Sequence, residues 1–139
     1  MYKNVNEIDW ENWEQHLART ISAGLIPAVN MDTGFVDKLS RKQRNHVLAR
    51  AKTIVGRSAW VAGAFVDTQP QVPFETEAYR EVIDAIHDHE AIPIVFQSSG
   101  LTVGSDQQVL KRYEDLAEFC ECFIAFELGS MFASFGKIY

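Results

Sequence analysis

The chain has 139 residues, of which 47% are hydrophobic, and this is enough to bury one core in a single domain spanning residues 1–139. Its formal net charge of −6, with 13 basic residues scattered along the chain, argues against a nucleic-acid or anionic-membrane partner, because both need clustered Lys and Arg. No apolar run approaches the roughly 20 residues of a membrane span and the N-terminal stretch is too polar for a secretory signal, which predicts a cytoplasmic protein.

The N-terminal part of the chain shows a helix pattern, a strand pattern and a second helix pattern, in that order. Apolar residues three or four positions apart predict a first helix after the capping residue Asp9, and Gly24 ends it. The apolar residues 25–29 predict a strand. Ser40 and Gln43 then form a capping-box pattern, which predicts the start of a second helix.

The middle of the chain repeats this alternation. Gly56 ends the second helix, and the continuously apolar residues 59–66 predict a second strand. Gly63, which has no side chain, lies within that strand and indicates close packing there. A third helix is predicted after Thr76, and a third strand over residues 92–96.

Ser105 and Gln108 repeat the capping-box pattern before a fourth helix, and residues 123–128 predict a fourth strand. The strands begin roughly thirty residues apart, the length of one strand with its crossover helix. Because they are apolar along their whole length, they belong to a parallel sheet. The sequence therefore predicts an α/β fold, either an eight-fold barrel or an open doubly wound sheet. The chain holds only half of the roughly 250 residues of such a barrel, and no strand is predicted before the first helix.

Polar residues follow all four predicted strands, at the ends where parallel α/β folds carry their reactive groups. They are Asn30, Asp32 and Thr33 after the first strand, Asp67 after the second, Gln97, Ser98 and Ser99 after the third, and Glu127 after the fourth. Ordinary turns use the same residue types, so position alone leaves both interpretations open. Glu127 is the strongest candidate, because a carboxylate among apolar residues is costly to bury without a partner or a ligand.

Two motifs stand in the first half of the chain, SAGLIPAVNMDTGFVDKLSRKQR and GRSAWVAGAF. Together they resemble the N-terminal half of the dihydrodipicolinate synthase and N-acetylneuraminate lyase family. The resemblance extends from about Trp10 to the last predicted strand. It implies a partial (β/α)8 TIM barrel, in which this chain forms a single partial-barrel domain with the second to fifth strands.

The resemblance implies a lyase of the class I aldolase type that acts on a small 2-oxo acid. In that family a barrel lysine forms a Schiff base with the substrate, and the iminium is the electron sink. A Thr-Thr-Gly-Glu turn binds the substrate carboxylate; Asp32, Thr33 and Gly34 fall on its first three positions, and Phe35 replaces the glutamate. Phe126 falls on the family's proton-relay tyrosine. No cofactor and no resident metal are predicted.

Two groups of site residues follow from position and resemblance. The predicted catalytic residues are Asp32, Thr33 and Glu127, and the predicted substrate-binding residues are Asn30, Gly34, Gln97, Ser98, Ser99 and Phe126. A phenylalanine cannot transfer a proton, and an aspartate repels a substrate carboxylate unless a proton or a cation intervenes. No lysine follows a predicted strand, so the chain lacks the family's nucleophile and is expected to be inactive alone.

Two alternatives remain open beside the lysine-dependent lyase. In the first, Asp32 and Glu127 hold Mg²⁺ or Mn²⁺, and the metal polarises a carbonyl in a metal-dependent lyase reaction. In the second, the chain is a non-catalytic half-barrel that serves in assembly or binding. An incomplete barrel has unpaired strand edges and an exposed apolar face, so we expect a homo-oligomer.

Overall fold

The computed structural model describes residues 2–4, 7–66, 72–130 and 133–138. The elements in chain order are β1 (Tyr2–Asn4), β2 (Glu7–Ile8), α1 (Trp10–Ser22), β3 (Ala28–Val29), α2 (Arg41–Val55), β4 (Val61–Ala64), α3 (Thr76–His87), β5 (Ile92–Phe96), α4 (Ser99–Thr102), α5 (Asp106–Ala117) and β6 (Ile124–Phe126). Two 3-10 turns, Asp32–Gly34 and Val36–Lys38, lie between β3 and α2.

Three helices begin where the capping residues predict, whereas α3 begins at Thr76 itself and has no side-chain cap. Asp9 caps α1 with its carboxylate. Ser40 and Gln43 form the predicted capping box of α2, in which the Gln43 side chain accepts from the Ser40 backbone N–H at 2.9 Å. Ser105 and Gln108 repeat this arrangement at α5, also at 2.9 Å. These caps satisfy N–H groups that have no partner inside a helix, and they fix each helix start.

The four main strands form one parallel sheet in the order β3-β4-β5-β6, as predicted. The central strands β4 and β5 have four and five residues, whereas the edge strands β3 and β6 have two and three. All but β5 are shorter than predicted, because the ends of the apolar runs do not pair. At β3 the register begins at Ala28, because Pro27 has no N–H to donate, although its carbonyl accepts from the Val61 N–H at 3.0 Å.

The two faces of the parallel sheet differ in what covers them. One face packs against the helices and contributes Val29, Ala62, Ala64 and Val95 to the main core. The alternate residues, among them Gly63, Ile94, Phe96 and Phe126, lie on the opposite face. We call this second side of the sheet the inner face. Within the described ranges, no helix is both long and apolar enough to cross a bilayer.

The prediction that no strand precedes the first helix is wrong. β1 and β2 pair antiparallel in a two-stranded sheet of their own, outside the parallel sheet. They have three and two residues, too few to give a recognisable alternation of apolar and polar residues. The four-residue helix α4 escaped prediction for the same reason.

Candidate functional site at the carboxyl ends of the strands

The turn after β3 reverses the chain through two residues in the left-handed region. Asn30 has a φ of 53°, and Phe35, which closes the 3-10 turn Asp32–Gly34, has a φ of 55°. Asn adopts this region readily, but a bulky residue such as Phe35 is strained there, and strained residues cluster at active sites, ligand clamps and switches. The side chains of Asp32 and Thr33 are exposed, so both can meet a ligand from solvent.

Asn30 anchors this turn to the helix layer. Its side chain is 8% exposed, and its amide Nδ2 donates to the carbonyl of Arg44 in α2 at 3.3 Å. The carbonyl oxygen Oδ1 is buried without a hydrogen-bond partner among the described residues, which costs about 1–3 kcal/mol. Asn30 therefore holds the base of the turn, and Asp32 and Thr33 form its exposed tip.

Gly63 lets strand β4 approach the same turn closely. A Cβ at this position would lie 2.1 Å from the backbone oxygen of Asn30 and 2.5 Å from Cε2 of Phe96. Both distances are far inside van der Waals contact, so only glycine fits without movement of its neighbours. This confirms the close packing predicted at Gly63, and it makes that residue part of the support of the β3 turn.

Gln97 follows β5 and joins three segments of the chain. Its Oε1 accepts from the backbone N–H groups of Leu128, at 3.1 Å, and Lys137, at 3.0 Å. Its Nε2 donates to the carbonyl of Lys137 at 2.8 Å. The side chain is 4% exposed, so the structure places this predicted substrate-binding residue inside the wall of the site.

Ser98 and Ser99 begin the short helix α4. The Ser98 hydroxyl accepts from the Leu101 N–H at 3.1 Å and caps the helix. The hydroxyl of Thr102 lies 3.0 Å from the Ser98 carbonyl and 2.7 Å from the Phe135 carbonyl, which ties α4 to the C-terminal segment. Ser98 is buried and Ser99 is half-buried, so Ser99 is the more accessible of the two.

A buried tyrosine, which the sequence analysis does not identify as a site residue, holds the end of β5. The Tyr79 hydroxyl donates to the carbonyl of Phe96, the last residue of β5, at 2.9 Å. Burial raises the pKa of Tyr79 far above its ordinary value, so the group stays a neutral donor. The only signal in the sequence was its place on the apolar face of α3, which equally predicts a simple core residue.

Phe126 and Glu127 occupy the end of β6. Phe126 packs edge-on against Phe96, with ring centroids 5.1 Å apart, and Phe96 packs against Phe65 in the same way at 6.3 Å. Glu127 is exposed, so the cost of burying a carboxylate, which made it the strongest candidate in the sequence, does not apply. The reason is that β6 is an edge strand, and its apolar residues Ile124 and Ala125 are exposed as well.

The fold brings the residues after β3, β5 and β6 to one end of the sheet, because parallel strands finish on the same side. Asp32 and Glu127 follow the two opposite edge strands. In a flat sheet these edges are separated by three strand spacings, each of about 4.8 Å. Across the described ranges, no group of three His, Cys, Asp or Glu side chains is placed to hold a metal ion. Asp67, predicted at the end of the second strand, lies outside the described residues.

The lysines lie mainly on helices and loops. Lys38 pairs with the neighbouring Asp37 at 2.8 Å, and Lys52 donates to Gly56 and to Glu90. Lys137 differs from the other lysines in its position. The Gln97 side chain bonds to the Lys137 backbone and holds it at the end of β5. Its ammonium donates to the carbonyl of Gly104 at 3.1 Å.

No protein-family model and no curated protein matches the sequence. Solved structures do match it. The dihydrodipicolinate synthase from Acinetobacter baumannii, chloride-inhibited and complexed with pyruvate, aligns with a TM-score of 0.71 and 17% identity over 91% of this chain and 42% of that chain. The synthase from Oceanobacillus iheyensis has a TM-score of 0.67 and 20% identity over 88% and 39%. The synthase from Bacillus clausii has a TM-score of 0.65 and 18% identity over the same shares.

At these identities the likeness establishes the fold. The chain spans about two-fifths of the length of the synthases that it matches. The resemblance predicted from the two motifs is confirmed at this level. The protein has the fold of part of a dihydrodipicolinate synthase TIM barrel, with four parallel strands and alternating helices.

Proposed function

We propose that the protein is a divergent dihydrodipicolinate synthase-like lyase, and that the turn after β3 holds the carboxylate of a small 2-oxo acid. The observation that carries this proposal is the exposed Thr33 at the carboxyl end of β3. It stands on a fold shared with a synthase that is complexed with pyruvate. A hydroxyl in this place can donate to a carboxylate oxygen, and a charge-assisted hydrogen bond of this kind is shorter and stronger than a neutral one.

The other residues of the site have supporting roles in this proposal. Asn30 anchors the turn to α2, and Gly63 lets β4 lie against it. Together they fix the position of the turn relative to the sheet. Ser99 follows β5, two strands away from β3 at the same end of the sheet, where it can contact the substrate carbonyl. Glu127 carries a carboxylate that can take up and return a proton at the end of β6. Phe126 has no hydroxyl, so it shapes the inner face and transfers no proton.

Asp32 sets the main restriction on the substrate. A second carboxylate beside Thr33 repels a bound 2-oxo acid, so binding should be strongest where Asp32 is protonated or bridged by a cation. Lys38, Lys42, Lys52 and Lys111 lie on helices and turns, and the ammonium of Lys137, whose backbone lies at the end of β5, donates to the Gly104 carbonyl. We therefore propose that this chain contributes carboxylate binding to the lyase and does not catalyse the reaction alone.

Calorimetric titration with pyruvate tests the role of Thr33. Thr33→Val keeps the shape of the side chain and removes its donor. Loss of a hydrogen bond to a charged group costs about 1.5–3 kcal/mol, or roughly a ten- to hundredfold weaker Kd. Thr53→Val is the matched control, because Thr53 is exposed on α2 and its hydroxyl bonds to Ala49 within the helix. Equal affinity of Thr33→Val and the unmodified protein would exclude this carboxylate site.

Borohydride reduction in the presence of pyruvate tests the second part of the proposal. We expect no stable adduct on this chain, because Schiff-base formation needs a lysine in the pocket. Mass spectrometry of the intact protein detects such an adduct directly. Trapping on any lysine of the chain would show that it carries its own nucleophile, and peptide mapping would identify the residue.

A further inference from the structure

Both edges of the parallel sheet have unpaired backbone groups. Within the described residues, β3 pairs only with β4, and β6 pairs only with β5. An open parallel edge accepts another strand, and natural proteins normally cover such edges or blunt them with charge. Neither Ala28–Val29 nor Ile124–Phe126 contains a charged residue or a proline. The two edges are thus both competent for strand pairing.

A groove of about 350 Å³ lies beside β3, and the five consecutive residues 27–31 line it. Trp13 and Leu17 of α1 line it as well, as do Thr33 and Gly34 of the turn after β3. Five residues of strand span roughly 16 Å, which is longer than the roughly 10 Å of a three-residue strand such as β6.

The inner face of the sheet exposes some of its apolar side chains, whereas Ile94 and Phe96 on the same face are buried within one copy. Ile92 is 37% exposed and Ile124 is 45% exposed, and Ala28 is exposed as well. All three belong to the side of the sheet that the helices do not cover. In a closed barrel this side is the packed interior, so closure would remove these side chains from water.

We propose that two copies of this chain close into one eight-stranded barrel, with β6 of each copy pairing along β3 of the other. Four strands from each copy give eight, the number at which side chains fill the interior of a parallel barrel. We call each contact between β6 of one copy and β3 of the other a seam. A two-fold axis along the barrel keeps all eight strands parallel and makes the two seams identical. The second copy then fills the groove beside β3 and covers the inner face.

The closed arrangement has a consequence for the site. Glu127, which follows β6, would stand beside the Asp32–Gly34 turn of the other copy, whereas within one copy these residues follow opposite edges. Each seam would then unite Thr33 from one copy with Glu127 from the other. This consequence rests on the proposed function, but the pairing itself rests only on the edges, the groove and the inner face.

Sedimentation equilibrium without any ligand tests the pairing. We expect a dimer of about 31 kDa, twice the 15.7 kDa of one chain. Ala28→Asp and Ile124→Lys each place one charge at a seam, so each should weaken dimerisation by roughly a hundredfold or more. Leu110→Lys is the matched control: Leu110 is 61% exposed on the helix α5 and belongs to neither edge strand, so this variant should remain a dimer.

Mixing the two charged variants distinguishes seam pairing from general destabilisation. A mixed dimer has one unmodified seam and one seam with opposite charges, so the mixture should recover the dimer mass that each variant lost. Far-UV circular dichroism verifies that each variant is folded. A monomeric unmodified protein, an assembly larger than a dimer, or Ile124→Lys and Ala28→Asp variants that still dimerise would each overturn the proposal. None of these outcomes depends on pyruvate binding.

Discussion

Replacing Gly63 by alanine tests whether β4 supports the β3 turn as closely as the structure places it. The new Cβ would lie 2.1 Å from the Asn30 backbone oxygen, about 1.3 Å inside an ordinary contact of 3.4 Å. It would also lie 2.5 Å from the Phe96 ring, which is 3% exposed. A backbone atom cannot move aside as a flexible side chain can, so we expect about 2–3 kcal/mol of destabilisation, the upper part of the range for overpacking.

Thermal unfolding measures this loss. In a domain of this size, 1 kcal/mol corresponds to roughly 3–5 °C in Tm, so Gly63→Ala should unfold roughly 6–15 °C below the unmodified protein. Gly34→Ala is the matched control, because no atom lies within 4 Å of its added Cβ and its φ is not positive. This control should be neutral or stabilising by up to about 1 kcal/mol. Equal melting temperatures for the two variants would refute the close approach of β4 to Asn30.

Three further substitutions test separate parts of the account. Asp32→Asn should tighten pyruvate binding, since a like charge about 6 Å away opposes it by roughly 0.7–3 kcal/mol; unchanged calorimetric affinity would place the substrate carboxylate elsewhere. Gln97→Leu should lower the free energy of unfolding in urea by about 2–4 kcal/mol, because it leaves three half-buried backbone groups without their partner, whereas Gln107→Leu, at an exposed position of α5, should not. Tyr79→Phe should remove part of the loss of stability at high pH. Burial raises the pKa of Tyr79 in the folded protein above its ordinary value near 10. The folded state is therefore fully stable below that pH and loses stability as the pH rises above it, because the unfolded chain ionises first. An identical pH dependence for Tyr79→Phe would show that Tyr79 is not protected from ionisation.

Local chemistry accounts for the parts of the fold that the sequence predicts well. The capping residues Asp9, Ser40 and Ser105 act within three or four positions, so their effect on the backbone is visible in the sequence itself. Strand lengths are different, because pairing depends on neighbours that are distant in the chain. Residues 25–29 read as one apolar run, yet only Ala28–Val29 pairs, at an edge with one neighbour.

The candidate site was predictable as a position and not as a set of contacts. The carboxyl-end rule placed Thr33 and Gln97 at the same end of the sheet, because it follows from parallel strands alone. It does not reveal that Gln97 bonds to Lys137, forty positions away. Nor does it reveal that Glu127 is exposed, since that follows from the edge position of β6 in the folded sheet.

We propose above that polar residues at the carboxyl end of the parallel sheet bind one small carboxylic acid, held by the turn after β3. Titration of the isotopically labelled protein with pyruvate, followed by amide chemical-shift mapping, tests it most directly. We predict that the shifted amides cluster at Asp32–Gly34, at Ser99 and at Glu127, all at the carboxyl end of the sheet. Shifts confined to the opposite end, around Ser58, Ala91 and Cys122, would contradict the claim, and so would the absence of any shift at saturating pyruvate.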